Sequence, residues 1–128
     1  YTLMKKTINI PNAPVPVGPY SQAVEYNGLL IASGQIAINP IDGILNTASI
    51  SEELTQIFKN IDALLTASKL ERENILKCSI FLKNMDDFEV VNKIYSNFFN
   101  EPYPARETVQ VSRLPKDANI EISFIAGK

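Results

Sequence analysis

At 128 residues the chain is long enough for one hydrophobic core and too short for two. Twelve basic against fourteen acidic residues leave a formal charge of −2, and the scattered lysines and arginines form no block of the kind a dedicated nucleic-acid binder carries. The absence of histidine excludes Ser-His-Asp and Cys-His catalysis within one chain and removes the commonest metal ligand, leaving carboxylates, tyrosine, arginine, lysine, hydroxyls and backbone amides for any chemistry.

Met4-Lys5-Lys6 resembles a native start, so Tyr1-Thr2-Leu3 are set aside as an extension, and residues 1–128 are otherwise expected to form a single domain. A short strand is expected first. Val24-Glu-Tyr-Asn-Gly-Leu-Leu-Ile-Ala-Ser33 then places Asn27-Gly28 between two strand-like runs, which predicts a two-residue hairpin near residues 22–34. Asn39-Pro-Ile-Asp-Gly43 is dense in turn formers and reads as a loop. Apolar residues at 54, 57, 58, 61, 64 and 65 follow helical spacing, and Ser49 with Glu52 fits a capping box, so a helix should run from near Ile50 to near Ser68.

Residues 75–82 read as a buried strand. A second helix should begin after Asn84, bury Phe88, Val91, Tyr95 and Phe98, and end before Pro102 and Pro104. Thr108–Val111 and Asn119–Ala126 complete the pattern as strands. The order gives an α+β layer with two helices on one face of a mixed sheet. The other face has no helix left to cover it, so self-association should bury its apolar side chains.

The lone Cys78, set in an apolar strand, reads as an inert buried thiol and allows no internal disulfide or multi-cysteine metal site; a reducing compartment follows. With no apolar stretch near the ~18 residues needed to span a bilayer and no signal-peptide h-region, a soluble cytoplasmic protein is expected. Neither G-x-G-x-x-G nor a P-loop occurs among the five glycines. Glu52-Glu53 and Asp86-Asp87 each fall in a helical first turn, where they favour the helix dipole.

Three segments stand out. Gly18-Pro-Tyr-Ser-Gln-Ala23 turns a tyrosine and a glutamine toward the hairpin. Ser33-Gly34-Gln35-Ile36 puts a glycine at a strand end, where a ligand can approach the backbone. Tyr103-Pro-Ala-Arg106 leads a loop into a strand and precedes Arg113-Leu-Pro-Lys-Asp117 and a mid-strand Glu121. Read as single residues, Arg106 and Glu121 are either solvated at an edge or held for a purpose.

Taken together and in this order, with Asn92 in the second helix, these segments resemble the reactive intermediate/imine deaminase A family, also described as liver perchloric-acid-soluble or translation-inhibitor endoribonuclease proteins. The resemblance runs from about Asn9 to the end of the chain. It implies a chorismate-mutase-like fold, a homotrimer whose sheets form a central barrel with clefts between subunits, and hydrolysis of 2-aminoacrylate and related enamine or imine acids to 2-keto acids and ammonia. It implies no metal or organic cofactor. By the same resemblance Arg106 anchors the substrate carboxylate and Glu121 holds or activates water. Tyr20, Ser33, Gly34 and the backbone of Thr108 bind substrate, while Asn92, Gln35 and Tyr103 support the site. Glu107-Thr108 stands where many members carry Ser-Cys, and the 100–102 loop is short. A ribonuclease or translation inhibitor, or a non-catalytic trimer that binds small carboxylates or acts as a chaperone, are the alternatives. The sequence offers RNA no basic stripe and no tryptophan to stack on.

Overall fold

The computed structural model describes residues 4–128. A six-stranded mixed sheet, ordered β1-β2-β3-β6-β4-β5, carries two helices. Its strands are β1 (Lys6–Ile8), β2 (Ala23–Tyr26), β3 (Leu29–Gln35), β4 (Ile75–Leu82), β5 (Ala105–Gln110) and β6 (Ile120–Gly127); the helices are α1 (Ile50–Ala67) and α2 (Phe88–Phe98). All neighbours are antiparallel except β4 and β5.

Asn27 and Gly28 close the β2–β3 hairpin at φ of 50° and 81°, the paired positive values that a two-residue turn of this hand requires. For α1, the Ser49 hydroxyl accepts the Glu52 N–H at 3.1 Å, half of the expected capping box. The helix stops where Lys69 turns left-handed at φ 57° and the Leu70 N–H returns to the Leu65 carbonyl. The apolar stripe between these ends, Leu54, Ile57, Ile61, Leu64 and Leu65, is fully buried against the sheet, each side chain contributing about 1.5–3 kcal/mol of burial.

The second helix differs slightly from expectation. Asn84 caps a short 3-10 turn, Met85–Asp87, before α2 begins at Phe88, and Phe88 is half-buried because it starts the helix instead of lying within it. Tyr95, Phe98 and Phe99 pack with Phe58 of α1, the Phe58 and Phe98 rings stacked at 3.8 Å. β4 is buried on one side only, and β5 begins at Ala105, three residues earlier than the sequence suggests.

The ladder registers sort the side chains onto two faces. Ala32, Phe124 and Cys78 lie in one row against the helices, and Arg106 ends that row on edge strand β5. The other face carries the rows Ile31–Ile125, Ser123–Ser79–Glu107 and Glu121–Phe81–Val109. No helix covers it. Ile31 and Val109 are 42% and 43% exposed there, beside the Lys77–Glu107 ion pair at 3.0 Å. Among the described residues, no helix is long and apolar enough to cross a membrane.

Candidate active site

Arg106 leaves β5 toward α2. Its guanidinium lies 4.8 Å from the centre of the Tyr95 ring and 5.7 Å from that of Phe88, an aromatic shelf that orients the fork without neutralising it. Among the described residues no carboxylate pairs with it. Asn92, Lys93, Ser96 and Tyr103 line the same open cleft. Behind Arg106 the Cys78 thiol is pushed up to about 11, chiefly by burial, and burial likewise raises the neighbouring Tyr95 phenol. The thiol is therefore inert, as its apolar strand suggests.

Glu121 projects from β6 on the opposite face. Desolvation raises its carboxyl above the ordinary range for glutamate. It faces a cleft of about 360 Å³ shared with Tyr20, Ser33, Gly34, Gln35 and Lys116. Gly34 is what makes room for it, since a Cβ there would stand 2.2 Å from Glu121 Oε2. The strand does not end at this glycine. Between Ala32↔Phe124 and Gln35↔Ile122, β3 spends one residue more than β6, so Ser33-Gly34 is a β-bulge, a device that re-aims a strand beside a functional group.

The remaining cleft residues are tied down locally. The Ser33 hydroxyl donates to the Ser21 carbonyl at 2.6 Å, leaving its oxygen free to accept, and Gln35 Nε2 donates to the Ser33 carbonyl. Tyr20 accepts the Val17 N–H at its phenol oxygen. Gln22 is structural: its buried amide accepts from Ile10 N–H and donates to the Ile10, Ala13 and Pro14 carbonyls, holding the segment that forms the cleft wall. Lys116 enters the cleft from a strained turn in which Lys116 and Asp117 both hold positive φ, with Asp117 fastened to Lys83 Nζ at 2.7 Å.

Within one chain Arg106 and Glu121 lie on opposite faces of the sheet, with β4 between their strands, because alternation sends Arg106 toward the helices and Glu121 away from them; Tyr20, Ser33 and Gly34 line the Glu121 cleft. Asn92 and Tyr103 accompany Arg106; Thr108 lines neither cleft, and its buried hydroxyl has no partner. Glu53, read as a helix-dipole residue, is instead fully buried and accepts hydrogen bonds from Asn119 N–H, Asn119 Nδ2 and Ile120 N–H at 2.8, 2.8 and 3.3 Å. Nothing in the local sequence signals a partner 66 residues away. Among the described residues no three acidic or cysteine side chains gather to hold a metal ion.

Residues 10–128 match the endoribonuclease L-PSP family. The chain belongs to this family. It is 49% identical to a RutC family protein of Aquifex aeolicus over 96% of this chain and 99% of that one. It is 42% identical to the 2-iminobutanoate/2-iminopropanoate deaminase of Escherichia coli over 96% and 98%. The crystal structure of E. coli TdcF with bound serine superposes with a TM-score of 0.91 at 36% identity, covering 96% of this chain and 98% of that one. The L-PSP family thus groups proteins named for an imine deaminase with others named for ribonuclease activity, and the mixed sheet with two helices is the fold they share.

Proposed function

We propose that the protein hydrolyses 2-imino acids and their enamine tautomers, of the 2-iminobutanoate, 2-iminopropanoate and 2-aminoacrylate type, to 2-keto acids and ammonia, in sites completed between the subunits of a homotrimer. The observation that carries this reading is the division of two complementary half-sites between the faces of one sheet. One holds an unpaired guanidinium on an aromatic shelf; the other holds a half-buried carboxylate beside a bulge. The exposed apolar face bearing Ile31 and Val109 is the surface through which copies would meet, joining the Arg106 cleft of one to the Glu121 cleft of the next.

In the joined site Arg106 grips the substrate carboxylate with two parallel N–H donors. Glu121 takes a proton from water as the water oxygen bonds to C2 and passes that proton to the imine nitrogen, giving a carbinolamine. It then moves the carbinolamine hydroxyl proton to the amine, so that the C2–N bond breaks and ammonia leaves as the 2-keto acid forms. The imine is electrophilic already, so positioning supplies much of the acceleration, and the hydrolysis requires no cofactor. Tyr20 and Ser33 line the substrate side, with Gly34 offering backbone groups and Thr108, which lines neither cleft of the single chain, offering its backbone only in the joined site; Gln35, Asn92 and Tyr103 brace the walls.

The test supplies imine from a serine or threonine dehydratase and follows 2-keto acid release. Arg106→Ala and Glu121→Gln should each be strongly slowed alone, yet regain activity when unfolded together and reassembled, since some clefts then unite an intact arginine with an intact glutamate. Failure of the mixed assembly to recover turnover would overturn the shared site; no acceleration over spontaneous hydrolysis by the unaltered protein would overturn the reaction.

A further inference from the structure

The buried residues of α1 are apolar except for Glu53 and Asn60. They lie seven residues apart, two helical turns, and so on one face of α1. Asn60 Nδ2 donates to the Ile36 and Ile38 carbonyls, just beyond the bulge, and its Oδ1 accepts from Gln56. Glu53 grips the first residues of β6. One helix thus fastens both walls of the Glu121 cleft from behind. A buried carboxylate is costly unless its lone pairs are satisfied, and Leu54, Ile57 and Ile61 already supply packing around it.

We propose that Glu53 is a positioning residue for Glu121, resting on the assignment of Glu121 to the reaction. All three partners of Glu53 are donors, so the site demands a group with acceptors only, which a carboxylate is and a carboxamide is not. The bonds fall on Asn119 and Ile120, directly before Glu121. Strand side chains alternate, so the residue at which β6 begins decides which face Glu121 occupies; a slip of one residue would drive it into the core beneath α1. Lys83 N–H donates to the Asn119 carbonyl at 2.9 Å, so Asn119 is held from both sides. The clamp fixes the register at Leu82↔Ile120 and Phe81↔Glu121 while leaving the Glu121 carboxylate itself untouched.

Glu53→Gln replaces one acceptor with an NH2 that faces an N–H donor. It is expected to lower kcat on the order of tenfold or more, since misplacing a reacting group by about 1 Å can cost a hundredfold. KM should change little, because Arg106 holds the substrate from another strand. The decisive measurement is a double-mutant cycle with Glu121→Gln: Glu53→Gln should cause no further loss of kcat once Glu121 is gone. An unchanged kcat in Glu53→Gln, or the same loss in both backgrounds, would overturn the positioning role. Wild-type turnover by Glu121→Gln itself would instead remove the assignment on which it rests. Should Glu53→Gln fail to fold, Asn119→Ala decides, since it deletes only the side-chain bond to Glu53 Oε1. A smaller loss of kcat that vanishes in the Glu121→Gln background supports the role; unaltered kcat overturns it.

Discussion

Gly34→Ala isolates the placement of one carboxylate. Gly34 does not lie at positive φ, so an alanine there meets no left-handed strain, and the substitution acts through its methyl group alone. That methyl would stand 2.2 Å from Glu121 Oε2, 2.6 Å from Cδ and 2.9 Å from Cγ. Restoring ordinary contact at about 3.5 Å requires the carboxylate to retreat by roughly 1 Å, and because Cγ is also too close, rotating the carboxylate alone is not enough. The cost in stability should fall near the low end of the 1–3 kcal/mol typical of overpacking, since the half-buried side chain can yield toward the cleft. Catalysis should suffer far more, on the order of a hundredfold in kcat. Imine hydrolysis coupled to a dehydratase gives the rate, and thermal unfolding gives the stability. Gly28→Ala is the contrast: at φ 81° with nothing within 4 Å of its Cβ, it should lower stability by about 1 kcal/mol and leave kcat unchanged. Wild-type turnover in Gly34→Ala would refute the reasoning.

Arg106→Lys should recover little of the activity lost in Arg106→Ala, because an ammonium cannot copy the planar fork; a loss of about 2–5 kcal/mol in kcat/KM is expected for the alanine variant, read by steady-state kinetics. The raised Glu121 pKa places the acidic limb of the activity profile above the ordinary glutamate value of 4.5. Turnover should rise as pH rises through that limb, and Glu121→Gln should abolish it. In stability the sign is opposite: a raised folded-state pKa contributes fully below the unfolded value and is lost as pH rises through the folded one, so Glu121→Gln should gain on the wild type between acid and neutral pH in denaturant titrations. Cys78, with its pKa pushed up to about 11, should resist a thiol reagent at pH 8 in the native protein and react fully after denaturation. If the proposed homotrimer forms through this face, Val109→Asp should yield monomers in sedimentation and abolish turnover together.

Much of the fold was legible because it is written in short periods. Asn27-Gly28 dictates its turn through backbone sterics alone, and the α1 stripe repeats often enough to outweigh any single residue. The Gly34 bulge was not legible, since it exists only as a mismatch between β3 and β6, strands far apart in sequence. Glu53 was misread for the same reason: one turn into a helix an acid satisfies the dipole, and only packing reveals that its carboxylate turns inward to Asn119. The start of β5 was hidden because Ala105, Arg106 and Glu107 are all exposed on an edge strand and show no alternation. The identities of the candidate residues could be read from the segments that carry the resemblance. Their partition between two faces could not, because it depends on pairing register.

That partition has a consequence for how the protein is switched on. If Arg106 and Glu121 serve one ligand, a solitary chain presents each to solvent with the other out of reach, and newly made subunits are silent until they meet their own kind. Activity then depends on concentration twice, once through substrate and once through subunit. Dilution alone, with no inhibitor and no unfolding, would extinguish it.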